Sequence, residues 1–401
     1  MARVQYREIE GRSGGFLALL GALGIVIFAG LAAAWTMEHY GHYVTGMSNR
    51  IVWGTPHVFA VFLIVAASGA LNVASIASVF GREFYKPLAR LSGLLAFTLL
   101  AGGLAVLVLD LGRPDRLIVA MTHYNFTSIF AWNIFLYTGF FAVVAIYLWT
   151  MFERRMNRYS ERAGLFAFLW RLVLTTGTGS IFGFLVAREA WNTALMAPLF
   201  IVMSFSFGLA VFVLVLMAAC RGSGRALGDL MLTRLGRLLG VFAAAVLYFV
   251  AVYHLTNLYV ARQHDLERFI LVDGGIYTAL FWIGQVGIGG IVPLTLLFSP
   301  RARGSRGALV AAAVAVIAGG LAQLYVIIIG GQAWPQLMFP NKAVSSTFFD
   351  GVVADYAPSL PEVALGAGGV ALALALTAVA LKVLPFLPQS LSDGDIDSAA
   401  A

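Results

Sequence analysis

Residues 57–80, HVFAVFLIVAASGALNVASIASVF, form a run of 24 residues that contains no Lys, Arg, Asp or Glu. A helix needs roughly 20 mostly apolar residues to cross the hydrocarbon core of a bilayer. This stretch is therefore long enough to span a membrane once. Because lipid offers the backbone no hydrogen-bond partners, a helix is the expected conformation.

The same rule, applied outward from this stretch, predicts ten spans. Their approximate bounds are 15–37, 57–80, 88–110, 128–152, 164–187, 194–218, 236–260, 276–299, 307–331 and 361–384. The sequence lacks the alternation of polar and apolar residues over short segments that is typical of membrane β-barrels. The predicted fold class is an all-α integral membrane protein with about ten transmembrane helices, arranged as two four-helix bundles plus flanking helices.

Composition agrees with this interpretation. The chain has 401 residues, of which 60% are hydrophobic and 11% charged, and its mean hydropathy is +0.88. A water-soluble domain of this length would have too few polar residues to cover its surface. The single cysteine, Cys220, excludes disulfides and cysteine-ligated iron–sulfur clusters within the chain.

The positive charge is a topology signal rather than a nucleic-acid signal. Of the 26 Lys and Arg residues, 18 fall on one set of alternating connections and seven on the other. Cytoplasmic connections carry the excess of Lys and Arg, so both termini are predicted to be cytoplasmic. The first span is interpreted as a retained helix, because its roughly 22 apolar residues exceed a usual signal-peptide core.

The spans suggest four parts. They are an N-terminal helix and outer loop (1–56), a first four-helix bundle (57–193), a second four-helix bundle (194–331), and an outer loop, last helix and cytoplasmic tail (332–401).

The two bundles are predicted to be related by an internal repeat. The third and seventh spans begin with similar sequences, ARLSGLLAF and TRLGRLLGVF, which align when Arg90 is set against Arg234, an offset of 144 residues. Parallel repeats of this kind occur in membrane proteins. Under this alignment His254 falls at the place of Asp110.

The histidines mark one side of the predicted bundle. All six fall on its outer half, namely His39, His42, His57, His123, His254 and His264. In the stretch MSNRIVWGTPH, residues 47–57, Pro56 fixes the backbone at the helix entry and His57 follows at the membrane edge. The alternative is an interfacial histidine that only faces water. A haem b is a further alternative, but it would need two histidines that face each other at similar depth. His57 and His254 could at most form one such pair.

The second candidate stretch is LDLGRPDR, residues 109–116. Asp110 ends an otherwise apolar helix, where a carboxylate is costly unless it is paired or protonated. This predicts a functional carboxylate. The alternative is an ion pair with Arg113 or Arg116 that only closes the helix.

The third stretch is AREAWN, residues 187–192. This connection is so short that Glu189 must stay near the membrane face, at the depth predicted for His57 and Asp110. A histidine and two carboxylates suit a site that binds two ring carbonyls and exchanges two protons. Quinol oxidation and quinone reduction require both of these properties.

A secondary transporter is the alternative from another functional class. Repeated bundles and glycine-interrupted helices fit it, but a charged substrate site in mid-membrane is missing from the sequence. Arg171 lies about two turns into the fifth span from the cytoplasmic side, and its long side chain is expected to reach back to the cytoplasmic interface.

WGTPH and DLGRP, in a ten-span layout, resemble the NrfD/PsrC family of polysulfide reductase-like membrane subunits, in particular its ten-helix branch with DsrP and HybB. The resemblance implies a quinone, menaquinone or ubiquinone, bound at the outer end of a four-helix bundle, and no haem or iron–sulfur cluster in this chain. It also implies a ferredoxin-like iron–sulfur subunit on the outer, periplasmic face, alongside other membrane and redox subunits. The matching positions are Pro56, His57 and Asp110; Glu189 is added from its depth and loop length.

The predicted function is therefore that of a quinone-interacting membrane anchor in a respiratory redox complex, with a sulfur-metabolism complex of the Dsr type as one candidate. It would exchange electrons between the quinone pool and the partner's iron–sulfur cluster, and would not be catalytic alone. His57 and Asp110 would handle the protons. The long outer connection 332–360 is predicted to dock a partner; the alternative is a loop folded over its own helices.

Overall fold

The computed structural model describes residues 4–300, 304–336 and 351–395. Within these residues, ten helices are long and apolar enough to cross a membrane, which confirms the predicted all-α membrane fold. In chain order they are α1 (Gly14–Tyr40), α2 (Thr55–Ser78), α3 (Glu83–Leu109), α4 (Ile129–Phe152), α5 (Asn157–Phe184), α6 (Met196–Ser223), α7 (Asp229–Tyr259), α8 (Ile276–Phe298), α9 (Arg306–Ala333) and α10 (Leu360–Val383).

Several helices are longer than the apolar runs that predicted them. Helix α7 begins at Asp229 rather than near residue 236, and α6 continues to Ser223 rather than 218. An apolar run marks only the part of a helix that lies in hydrocarbon, whereas the helix itself continues until a backbone signal stops it. For α6 that signal is Gly224, which adopts a left-handed conformation at φ 67°, as is common at helix C-termini.

Helix α2 is the centre of the molecule. In the most apolar 18-residue stretch of α2, 89% of the residues are buried inside the protein, whereas in that of α1 only 11% are. Helix α2 packs against α3, α5, α6 and α10. Helices α2 to α5 form one bundle and α6 to α9 the other, while α1 and α10 pair with each other beside the first bundle. The exact bounds of the four predicted parts stay predictions.

The two bundles meet where α2 crosses α6 at two glycines. A Cβ atom on Gly69 would overlap the carbonyl oxygen of Ser204, and one on Gly208 would overlap the backbone at Gly69 and Ala70. Small residues allow membrane helices to approach closely. This contact fixes the bundles against one another.

Both ends of the described chain lie at the same end of the molecule. Strand β1 (Tyr6–Arg7) pairs antiparallel with β2 (Leu387–Pro388). Arg225 donates hydrogen bonds to carbonyls in both strands, at 2.7 Å to Leu387 and 3.0 Å to Arg7. This agrees with an even number of spans. We call the opposite end the outer end, following the charge distribution.

Arg171 does not reach the interface as expected. Its side chain in α5 is 0% exposed, and its Nη2 donates a hydrogen bond of 2.8 Å to Oδ1 of Asn72 on α2. The rings of Phe168 and Phe205 each lie 4.8 Å from its guanidinium carbon. The expectation was wrong because an amide acceptor and two aromatic faces take the place of interfacial water.

Candidate functional site

His57 and Asp110 come together at the outer end of the first bundle. Helix α2 starts at Thr55 with Pro56 in its first turn, and Asp110 directly follows α3. The Nδ1 atom of His57 lies 2.8 Å from Oδ2 of Asp110. The aspartate side chain is 1% exposed and the histidine side chain 18%. Two helix ends that are distant in sequence therefore form one ionisable pair.

The carboxylate of Asp110 has unused hydrogen-bonding capacity. The 2.8 Å separation satisfies an ion pair, yet neither oxygen of Asp110 nor Nδ1 of His57 has a well-directed hydrogen bond among the described residues. The contact is therefore close but is not a well-directed hydrogen bond, and the acceptor lone pairs of Asp110 remain open. A buried acceptor without a donor is costly, so a hydroxyl group of a ligand, or a water, would be stabilised here.

A second histidine approaches the same aspartate. A ring nitrogen of His42, Nε2, is hydrogen-bonded to the backbone carbonyl of Asp110 at 2.9 Å and lies 3.9 Å from its Oδ1. Arg113 pairs instead with Asp115 at 2.8 Å, and its hydrogen bond lowers the pKa of Asp115. The ion-pair contacts of Asp110 among the described residues are with His42 and His57, so the alternative of an ion pair with Arg113 or Arg116 is wrong. Sequence reasoning did not include His42 in the site, although its outer position was a signal.

Among the residues that the structure describes, no group of three or more His, Cys, Asp or Glu side chains is placed to hold a metal ion. The chemistry available at His57 and Asp110 is that of proton exchange and hydrogen bonding.

Flat aromatic rings form a wall beside His57. The ring of Trp53 stacks on His57 with centroids 5.7 Å apart and planes at 18°. Trp191 stacks on Trp53 at 5.3 Å and 20°, and Phe130 meets Trp53 edge-on at 5.7 Å. Aromatic faces favour other flat rings in offset or edge contact.

Gln332 holds Trp53 in place from the other end of the sequence. Its side-chain oxygen accepts hydrogen bonds from the backbone N–H groups of Val52 and Trp53, both at 3.0 Å. Its side-chain nitrogen donates to the carbonyl of Trp53 at 2.8 Å. The sequence alone did not predict a role for Gln332. The one feature that could have indicated it is its position at the start of the long outer connection.

The described part of that connection folds back onto the start of α2. The hydroxyl of Tyr356 accepts a hydrogen bond of 2.7 Å from the backbone N–H of Thr55 and donates one of 2.5 Å to Glu362. Burial and the bond to Glu362 raise the pKa of Tyr356. Residues 337–350, which include Lys342, lie outside the described residues, so partner docking at this connection stays a prediction.

Glu189 lies on the second-bundle side of the outer end. Its Oε2 accepts a hydrogen bond of 2.8 Å from Nε1 of Trp334, and its Oε1 is 3.9 Å from Nε of Arg262. These side-chain contacts do not include His57 or Asp110. The place of Glu189 in the same site stays a prediction.

The neighbouring Arg188 ties three outer segments together. It donates hydrogen bonds to the backbone carbonyls of Gln332 and Arg50, at 3.2 and 3.1 Å, and its guanidinium lies over the ring of Trp191 at 5.3 Å. Burial lowers the pKa of Arg188, but an arginine keeps its charge at any physiological pH. Arg188 therefore positions the wall beside His57.

The second bundle contains a similar pair. Nδ1 of His254 lies 2.6 Å from Oε2 of Glu267. His254 is the residue that the predicted repeat sets against Asp110, and both take part in a histidine–carboxylate pair with the roles exchanged. Sequence reasoning missed Glu267, whose only signal was an acidic residue in the short connection after α7. The repeat itself stays a prediction.

Comparison with known proteins gives the family. The model described as "Polysulphide reductase, NrfD" matches residues 43–336. The integral membrane subunit of an Hdr-like menaquinol oxidoreductase from Archaeoglobus fulgidus is 28% identical, over 96% of this chain and 97% of the relative. A subunit of polysulfide reductase from Wolinella succinogenes is 26% identical, over 71% and 96%. The integral membrane subunit of a menaquinone reductase from Nitratidesulfovibrio vulgaris is 23% identical, over 90% and 89%. The protein therefore belongs to the NrfD polysulphide reductase family.

Proposed function

We propose that this protein is the quinone-reactive membrane anchor of a respiratory redox complex, with its quinone site at His57 and Asp110. The observation that carries the proposal is the buried carboxylate of Asp110, whose oxygens lack hydrogen-bond donors among the described residues while His57 lies 2.8 Å away. The printed names of two relatives, a menaquinol oxidoreductase and a menaquinone reductase subunit, support a quinone and favour menaquinone over ubiquinone.

The residues suit proton exchange with a quinol. Oxidation of a quinol releases two protons and two electrons. The open oxygens of Asp110 accept a hydrogen bond from a ligand hydroxyl and then its proton. His57, whose Nδ1 lies 2.8 Å from Oδ2 of Asp110, holds or passes on a proton beside that carboxylate. In the reverse direction the same groups deliver protons.

The surrounding residues shape the site. Pro56 fixes the backbone at the first turn of α2 and so directs His57 toward Asp110. The aromatic wall beside His57 offers an apolar surface for a planar head group. Glu189 is proposed as a more distant member of the site, and we expect Glu189→Gln to reduce quinol turnover less than Asp110→Asn does, because its side chain contacts Trp334 and Arg262.

The electrons need a partner. We propose a ferredoxin-like iron–sulfur subunit on the outer, periplasmic face, in a bacterial inner membrane, with a sulfur-metabolism complex as one setting. Electron tunnelling requires proximity to the partner's cluster and no ligand from this chain.

The test is quinol-linked turnover of the assembled complex with His57→Ala and Asp110→Asn. We expect each variant to lose activity by about 10²-fold or more, as for removal of a general acid or base. Asp115→Asn is the matched control, since that carboxylate is close in sequence and 59% exposed. Near wild-type turnover in both site variants would contradict the site, and substrate uptake by the isolated protein in liposomes would favour a transporter.

A further inference from the structure

A buried histidine–carboxylate pair lies in the second bundle, away from the proposed quinone site. Glu267 belongs to the short helix His264–Arg268 that follows α7, and it is 0% exposed. Its Oε2 lies 2.6 Å from Nδ1 of His254, and its Oε1 accepts a hydrogen bond of 2.7 Å from the side-chain nitrogen of Asn257. Both carboxylate oxygens are therefore partnered.

Nearby cations do not neutralise this carboxylate. Arg262 lies 3.9 Å from Glu189, and Arg268 pairs with Asp273 at 2.6 Å. Within the described residues, the ion-pair partner of Glu267 is His254. A buried charge is costly unless it is compensated. The pair is electrically neutral when His254 and Glu267 share one proton on the short line between Nδ1 and Oε2.

A small cavity adjoins the pair. About 30 Å³ of it is accessible to water, and its lining includes His254, Tyr253, Gln285 and Gln323. A water molecule needs about 10–15 Å³ measured in this way, while a cavity that takes up a benzene ring is about 150 Å³. The cavity therefore suits water rather than a quinone ring.

Gln323 supplies a reason for water to be ordered there. Its side chain is 2% exposed, and its Nε2 has no hydrogen-bond partner among the described residues. Buried polar groups of this kind are normally satisfied by protein or by ordered water. A water in the cavity would accept that hydrogen bond.

The backbone around the cavity is irregular in three places. Residues Phe269–Asp273, Leu280–Ile291 and Val326–Gly330 are π-helical, and each segment contributes residues to the cavity lining. π-Helical turns are rare and frequent at functional sites. Three of them around one buried ionisable pair are more than packing of apolar helices requires.

We propose that His254 and Glu267 form a proton-binding site that holds one exchangeable proton and passes it to water in the adjoining cavity. The proton moves between Oε2 of Glu267 and Nδ1 of His254. When the imidazole is doubly protonated, its other nitrogen, Nε2, can release a proton to water, which leaves a neutral imidazole and a carboxylate held by Asn257. The other polar side chains facing the pair, Tyr253 from α7, with Gln285 from α8 and Gln323 from α9, carry no formal charge.

Contacts lead from this site toward the first bundle. The hydroxyl of Tyr253 donates a hydrogen bond of 3.3 Å to the carbonyl of Ala190. The next residue, Trp191, stacks on Trp53, which stacks on His57. A change of proton occupancy at His254 during quinone turnover would use this connection, and that part of the proposal rests on the proposed function.

Infrared difference spectroscopy of the assembled complex tests the site directly. A pH jump, without quinone, should produce a carboxyl or carboxylate band that shifts in D₂O. We expect this band to be lost in Glu267→Gln, which preserves shape, and to be shifted in Glu267→Asp. Asp265→Asn, two residues earlier and exposed, is the matched control and should leave the band unchanged.

Two outcomes would overturn the proton site: no such band in the wild type, or the same band in wild type and in Glu267→Gln. If Glu267→Gln does not assemble, an unshifted band in Glu267→Asp would also overturn it. The same spectra recorded on quinone reduction test the link to the first bundle. If the band appears in the pH jump but not on quinone reduction, the proton site stands and its connection to the first bundle is contradicted. The effect of changing His57 or Asp110 on quinol turnover tests the proposed function alone.

Discussion

His57 Nδ1 and Asp110 Oδ2 lie 2.8 Å apart, although one residue lies at the start of α2 and the other directly after the end of α3. The first turn of α2 presents the histidine, and the last turn of α3 is followed by the aspartate. A pair formed in this way acts as one unit, because each group sets the electrostatic environment of the other.

The first prediction concerns that coupling. In the double variant His57→Ala with Asp110→Asn, we expect the loss of transition-state stabilisation to be smaller than the sum of the two single losses, by about 0.5–3 kcal/mol. The measurement is kcat/KM for quinol in the assembled complex. A loss in the double variant equal to the sum of the two single losses would show that the two residues act independently.

The second prediction concerns Gln332, which is 2% exposed. Gln332→Leu removes the hydrogen bonds to the partly buried backbone groups of Val52 and Trp53, which costs about 0.5–1.5 kcal/mol for each bond lost. We expect a lower Tm and a higher KM for quinol, because Trp53 loses its position beside His57. Gln336→Leu, in the same connection, is the control, and equal effects of both changes would argue against the role of Gln332.

The third prediction concerns Tyr356 and alkaline pH. Burial raises the pKa of Tyr356 above its usual value near 10, so its contribution to stability is present below about pH 10 and is lost as the pH rises through the folded-state pKa. Tyr356→Phe should lower stability by about 1–3 kcal/mol near neutral pH, by removing its bonds to Thr55 and Glu362. Thermal unfolding in lipid nanodiscs measures both effects. A wild-type Tm that falls no more steeply above pH 10 than that of the variant would contradict the argument.

The fourth prediction concerns the crossing of α2 and α6. Gly208→Ala places a methyl group into the backbone at Gly69, so the two helices must separate; overpacking of this kind costs about 1–3 kcal/mol or more. We expect a clear loss of folded protein and of Tm. Gly222→Ala lies in the same helix with open space around it and should be tolerated. Equal tolerance of both changes would mean that the bundles are not held at this crossing.

The sequence by itself determined the helices. The length of an uninterrupted apolar run is a local property, and the bilayer imposes a minimum length on it, so all ten spans were predictable. The conformation near His57 was equally local, since Pro56 belongs at the first turn of a helix. Asp110 was recognisable because a carboxylate at the end of an apolar helix needs a partner.

The tertiary structure decided which partners those residues have. The histidines, rather than Arg113, face Asp110, and Gln332 reaches back 279 residues to Trp53. Glu267 acquires a partner because the connection after α7 places its carboxylate against His254. Arg171 can be buried because Asn72 on α2 accepts a hydrogen bond from it. These contacts depend on how helices pack and where loops return, and pairing of buried polar groups is satisfied across the whole fold rather than within one stretch of sequence.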